Sequence, residues 1–157
     1  MALLAPVEFA GTFMNPQTGE SLPYAGTCVV AIDSQGRSAR WTGGNCVETC
    51  GALAGDSVSV AGNMLANADV LPATLRAYEA AAGLDLPERL LAALEAGEAA
   101  GGDRRGRQSA ALKLVTSEDF PDLDLRVDDH ATPLPELRRL VGLWRTQWLP
   151  RPKRGCS

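Results

Sequence analysis

The run Glu88-Arg89-Leu90-Leu91-Ala92-Ala93-Leu94-Glu95-Ala96-Gly97, continued through Gly101-Gly102-Asp103-Arg104-Arg105-Gly106-Arg107-Gln108-Ser109 into Ala110-Ala111-Leu112-Lys113-Leu114-Val115, holds the change of period on which the fold turns. Leu90, Leu91 and Leu94 recur at helical spacing, and Pro87 stands in the first turn, where a helix tolerates proline best. Gly97 weakens the helix and Gly101-Gly102 stops it. The most polar stretch of the chain, Asp103 to Ser109, then feeds directly into an apolar strand.

Upstream, Asp69 is expected to cap a first helix with Val70, Leu71, Leu75 and Tyr78 on one face, ended by Gly83. Before it, Ser57 to Ala61 alternates small polar and apolar residues, the mark of a strand with one packed face. A hairpin comes earlier still. Thr27-Cys28-Val29-Val30-Ala31-Ile32 reads as a strand buried on both faces, Asp33-Ser34-Gln35-Gly36 as its turn, and Arg37 to Thr42 as its partner. Downstream, Leu123 to Val127 alternates as a strand. Leu134, Leu137, Leu140, Val141, Trp144 and Trp148 then mark a C-terminal amphipathic helix. The order is hairpin, strand, two helices, two strands, helix. Such blocks favour an α+β fold over a doubly wound parallel sheet.

The 157 residues, 45% apolar, suffice for one domain with its own core. A net charge of -4 argues against nucleic acid, which needs a basic stripe; the basic tail Arg151-Pro152-Lys153-Arg154 reads as a solvated end. No apolar run is long enough to span a bilayer. Met1 to Pro6 has no basic flank and soon meets Glu8, so it does not read as a signal peptide, and a cytoplasmic location is expected. Cys46 and Cys50 have no second pair to complete a metal site, and His130 is the single histidine, so neither metal nor cofactor is expected and the cysteines read as reduced thiols.

Three polar groups stand at strand edges, where function tends to sit. Gly62-Asn63 follows a strand, with glycine admitting close approach and the amide able to donate and accept; an ordinary turn is the alternative. Asp103 to Ser109 gathers Arg104, Arg105 and Arg107, whose planar guanidinium groups suit carboxylates and phosphates; a solvated loop is the alternative. Asp128-Asp129-His130 sets two carboxylates beside an imidazole, as acid–base chemistry uses them, or forms a surface turn before Pro133. No nucleophile elbow, P-loop or dinucleotide fingerprint is present.

Gly62-Asn63-Met64-Leu65, the run from Glu88 to Leu112, and Leu125-Arg126-Val127-Asp128-Asp129-His130, in this order, resemble the signature of the domain-of-unknown-function family 1028. The resemblance runs from about residue 28 to 143 and is read as the C-terminal two-thirds of that family. It implies an Ntn-hydrolase-like αββα sandwich. In that superfamily an N-terminal Thr, Ser or Cys attacks an amide with its own α-amino group as base. The family's opening strands are expected to be missing or replaced by residues 1–26, and Cys46-Val47-Glu48-Thr49-Cys50-Gly51 lacks the Trp and His that the family tends to carry there.

The chain is therefore divided into a divergent segment 1–26 of doubtful order, an Ntn-hydrolase-like core 27–149 and a basic tail 150–157. The function expected is a scaffold without its N-terminal nucleophile. Its polar pocket for a small anionic ligand is expected to be lined by Asn63, Asp103, Arg104, Arg107, Gln108, Ser109, Asp128, Asp129 and His130. One alternative is an active amide hydrolase with Thr27 exposed by cleavage after Gly26. Another is a non-enzymatic module that completes its sheet with a partner chain. Strands without neighbours leave unpaired backbone groups, so a homo-oligomer is expected.

Overall fold

Eight strands and three α-helices form among the described residues, 12–14, 21–23, 28–33, 35–47 and 49–148 of a computed structural model. In chain order they are β1 (Thr12–Met14), β2 (Ser21–Pro23), β3 (Cys28–Ile32), β4 (Ser38–Thr42), β5 (Gly51–Gly55), β6 (Val58–Gly62), α1 (Val70–Ala80), α2 (Leu86–Ala99), β7 (Ala110–Leu114), β8 (Leu123–Val127) and α3 (Pro133–Leu143). Each strand pairs antiparallel with its neighbour in sequence, giving four small two-stranded sheets. The fold is α+β. Thr27 and the tail 150–157 lie outside the described residues, as does most of 1–26.

The first long hairpin is set by its turn. Asp33 Oδ1 accepts from the backbone N–H groups of Gln35 and Arg37, both at 2.9 Å, and Gly36 takes φ +75°, a left-handed conformation natural to glycine. β3 then lies against β6 and β4 against β5. A Cβ on Gly36 would stand 2.6 Å from Ser57 Oγ, so the turns of the two hairpins meet at one end of the stack.

β3 corrects an expectation. It is not buried on both faces: Val30 is 38% and Ile32 49% exposed. Its main neighbours among the described elements are β4 and the β5–β6 hairpin, and these leave Val30 and Ile32 bare. β5 was not anticipated at all, because Gly51-Ala52-Leu53-Ala54-Gly55 has none of the β-branched or aromatic residues that signal a strand. Its small residues serve a close approach. A Cβ on Gly55 would meet Glu79 Oε1 at 2.7 Å and Leu75 Cδ1 at 3.1 Å, both from α1.

α1 and α2 are similarly close. A Cβ on Gly97 would lie 2.3 Å from Thr74 Oγ1, whose hydroxyl donates to Val70 O at 2.8 Å. Gly97 thus marks a helix contact rather than a weak point. Asp69 occupies the N-cap position of α1, but its side chain makes no capping bond. Asn67 takes over there: its Oδ1 accepts from Asp69 N–H at 2.8 Å, and its Nδ2 donates to Ala100 O at 2.7 Å, tying the start of α1 to the end of α2. Asp85 caps α2 by accepting from Glu88 N–H at 3.2 Å.

The core has two parts. Leu91, Leu112, Leu123, Val127, Leu134, Leu137 and Val141 form the larger, between α2, α3 and the β7–β8 hairpin. Val58, Tyr78 and Ala93 form the smaller, and Leu90 packs against both, so α2 is the shared wall. Arg138 clamps α3 to α2, with Nε and Nη2 on Glu95 at 2.6 and 2.8 Å and Nη1 on Glu88 at 2.8 Å. The expected C-terminal helix ends as an α-helix at Leu143; Trp144–Trp148 forms a π-helical turn instead.

Candidate functional site

The loop after α2 owes its shape to three glycines at positive φ: Gly101 at +128°, Gly102 at +58° and Gly106 at +102°. It is fastened on two sides. Toward β6, Ala66 N–H donates to Gly102 O and Arg104 N–H to Met64 O, both at 2.9 Å, and Leu65 bridges Asp103 as a single antiparallel pair. Toward β8, His130 N–H donates to Gln108 O at 2.9 Å, Gln108 Nε2 to Asp129 Oδ1 at 3.1 Å, and Arg107 Nε to Ala131 O at 3.3 Å. The loop therefore joins the segment just after Gly62-Asn63 to the turn at Asp129 and His130.

Charges within the loop are largely matched. Asp103 Oδ1 accepts from Arg105 N–H at 2.8 Å and Nε at 2.9 Å, and its Oδ2 accepts from Arg105 Nη2 at 2.5 Å. The hydrogen bonds from the Arg105 guanidinium, chiefly, lower the Asp103 carboxyl from 3.8 to about 2. Arg107 pairs with Glu98 at the end of α2. Arg104 differs: its Nη2 points at Met64 Sδ, 3.3 Å away, and a thioether is a weak acceptor. Met64 itself has φ +56°, rare for a residue with an unbranched side chain and a sign of local strain. Nothing in its residue type signals that conformation in the sequence.

The loop lines a crevice of about 850 Å³. Val60 and Ala61 of β6 and Ala110 and Ala111 of β7 flank it; Val70, Leu71 and Thr74 of α1 and Leu94, Gly97 and Glu98 of α2 line it from the helical side. Of the residues expected at a pocket, Asp103, Arg107, Gln108 and Ser109 line the crevice. Asn63, Arg104, Asp128, Asp129 and His130 stand outside that lining. Glu98 belongs to it and was not singled out; Arg105, named among the loop's guanidinium groups but not among the expected pocket residues, lines it too.

The imidazole of His130 is not oriented by its neighbouring carboxylates. Asp128 pairs with Arg126 Nη2 at 2.7 Å and Asp129 with Gln108, while His130 Nδ1 accepts from Thr132 N–H at 3.0 Å and lies 3.2 Å from Thr132 Oγ1. This is a local turn at the start of α3, outside the crevice lining. No cluster of three His, Cys, Asp or Glu able to hold a metal ion occurs among the described residues. Nor is any helix among them long and apolar enough to cross a membrane.

No curated protein matches the chain. A crystal structure of protein SPO2555 from Silicibacter pomeroyi, of the DUF1028 family, is similar to it at 34% sequence identity with a TM-score of 0.66. The similarity covers 74% of this chain and 51% of that one, so the chain spans about half the length of its solved relative. The model of the family of unknown function DUF1028 matches residues 24–137, a stretch that takes in the α1–α2 pair, the glycine-hinged loop and the turn at His130, and the chain belongs to that family.

Proposed function

We propose that this chain is a binding scaffold on an Ntn-hydrolase-like αββα plan, taking a small anionic ligand at the loop 103–109. One observation carries the reading: a loop clamped from both sides, and hydrogen-bonded to the strained Met64, lines a largely apolar crevice of about 850 Å³. Ligand sites combine an apolar cavity with a few fixed polar groups in this way. Glu98 and Asp103 already answer Arg107 and Arg105. Arg104, whose side-chain hydrogen bond among the described residues goes to a thioether, is the guanidinium offered to an incoming carboxylate or phosphate. Titration of the full chain with inorganic phosphate and with a short-chain carboxylate, followed by backbone amide shifts, should move Arg104 to Ser109. Arg104→Ala should weaken the response by about tenfold, the worth of one charge-assisted bond. Shifts confined to other regions, or a response indifferent to Arg104→Ala, would overturn the reading.

A second reading, an amide hydrolase with Thr27 exposed by cleavage after Gly26, draws on a different observation. The turns of the two stacked hairpins meet through Gly36 and Ser57, so the start of β3 at Cys28 and the end of β6 at Gly62 share the opposite end, where the strap 64–66 and Asp103 stand. A terminal residue just before Cys28 would emerge beside the loop. Intact mass tests this: loss of residues 1–26 supports processing, and a single full-length species refutes it.

A further inference from the structure

The crevice asks more of a ligand than a negative charge. Val70, Leu71 and Leu134 of its lining are buried side chains, and Leu94, also in the lining, is 38% exposed, so apolar surface there is left to water. An ion the size of phosphate would leave most of the 850 Å³ or so, and most of these walls, wet. Sites of roughly 300–1,000 Å³ take molecules of many atoms whose apolar parts lie against such walls.

The loop decides what stands at the head of such a molecule. Glu98 pairs with Arg107 and Asp103 with Arg105, so the four charged groups of the lining cancel in pairs. Asp129 lies toward β8, its carboxylate accepting from Gln108. Arg104 adds one positive charge on the side of β6, where its backbone N–H donates to Met64 O and its Nη2 points at Met64 Sδ. Arg104 stands outside the lining, but Asp103 and Arg105 on either side of it belong to the lining, as does Leu65, which bridges Asp103. One guanidinium in excess matches one negative charge, and its planar fork matches a carboxylate. A tail attached to that carboxylate has Leu65, Val60, Leu71 and Leu94 to lie against.

We propose that the ligand is an amphiphilic monocarboxylic acid, its carboxylate on Arg104 and its apolar tail laid along the crevice. This rests on the reading of the loop 103–109 as an anion site and adds the charge of the head and the chemistry of the tail. Head and tail are recognised by different elements, the loop for the one and β6 with the two helices for the other.

Titration of the full chain with acetate, butanoate, hexanoate and octanoate tests it, followed by amide shifts of the loop and methyl shifts of the crevice. A fully buried methylene is worth up to about fourfold in affinity, so octanoate should bind at least about tenfold more tightly than acetate. It should move the methyl groups of Leu71 and Leu94 as well as the amides of Arg104 to Ser109. Leu94→Asn, at a half-exposed position, should flatten the dependence on chain length. Loop shifts with all four acids but no gain with length would overturn the tail and leave the anion reading standing. No loop response to any acid would overturn both. Octan-1-ol binding as tightly as octanoate, or octyl phosphate binding more tightly, would overturn the carboxylate head. Shifts centred on the exposed Phe120 instead of Leu71 and Leu94 would show adsorption to apolar surface and overturn the proposal.

Discussion

The β3–β4 and β7–β8 hairpins are built alike, each from two five-residue strands in full antiparallel register. In sequence β3 is the more strand-like, apolar throughout, whereas β7 and β8 are interrupted by Lys113, Asp124 and Arg126. In space the order is reversed. Leu112, Leu123 and Val127 are buried under α2 and α3, while Val30 and Ile32 of β3 are exposed. Apolar composition shows that a strand exists. Alternation shows, in addition, that one face is covered. An apolar strand left bare marks a place where packing is still to be supplied.

The contrast is sharpest in the cost of truncation. Leu137 is fully buried against β7 and β8, so Leu137→Ala should destabilise by about 2–5 kcal/mol in urea titration. Ile32→Ala should cost about 1 kcal/mol or less, as at other half-exposed positions. Equal costs would mean that β3 is covered in solution. Next in size is Gly97→Ala. Helix propensity alone would favour it by about 1 kcal/mol. The methyl, however, would meet Thr74 Oγ1 at 2.3 Å, and a net loss of about 1–3 kcal/mol is expected. A stabilised variant would show that α1 and α2 can part at no cost.

Smaller effects separate the ionic contacts. Arg138→Ala removes a guanidinium held by Glu95 and Glu88, whose hydrogen bonds raise its pKa in that order. Its side chain is 41% exposed, so the loss should be only about 1 kcal/mol and should shrink in high salt. Arg139→Ala, which removes an exposed guanidinium paired with Glu136, should leave the urea midpoint unchanged. Smallest is the pH response of the loop. Asp103 binds its proton less readily when folded than the ordinary value of 3.8. Its contribution is therefore complete above about pH 4 and is lost as pH falls toward 2. Amide shifts of Asp103 to Gly106 should report that titration, and Asp103→Asn should abolish it.

Much of the fold was legible where the hydrophobic period changes. The passage from Leu90, Leu91 and Leu94 through Gly101-Gly102 into Ala110 to Leu114 reads as helix, break and strand, and forms them. β5 was not legible, since glycine and alanine carry no strand signal and are there to admit α1. Nor was the bareness of β3, which depends on what packs beside it rather than on its own residues. At the crevice, Asp103, Arg107, Gln108 and Ser109 were marked by polarity just ahead of an apolar strand. Glu98 looked like an ordinary helix residue. The pairing of Asp128, just past the end of β8, with Arg126 was missed, although two residues apart in an extended stretch they share a side.

The account rests on one side of the molecule being closed and the other open, and native-state hydrogen exchange of the full chain measures that directly. Amides of β7 and β8, under the larger core, should open only with global unfolding. Amides of β3 and β4 should exchange through local opening, at least about tenfold faster. If β3 and β4 proved as slow as β7 and β8, the bare face of β3 would be covered in solution and the contrast drawn between the two hairpins would fail.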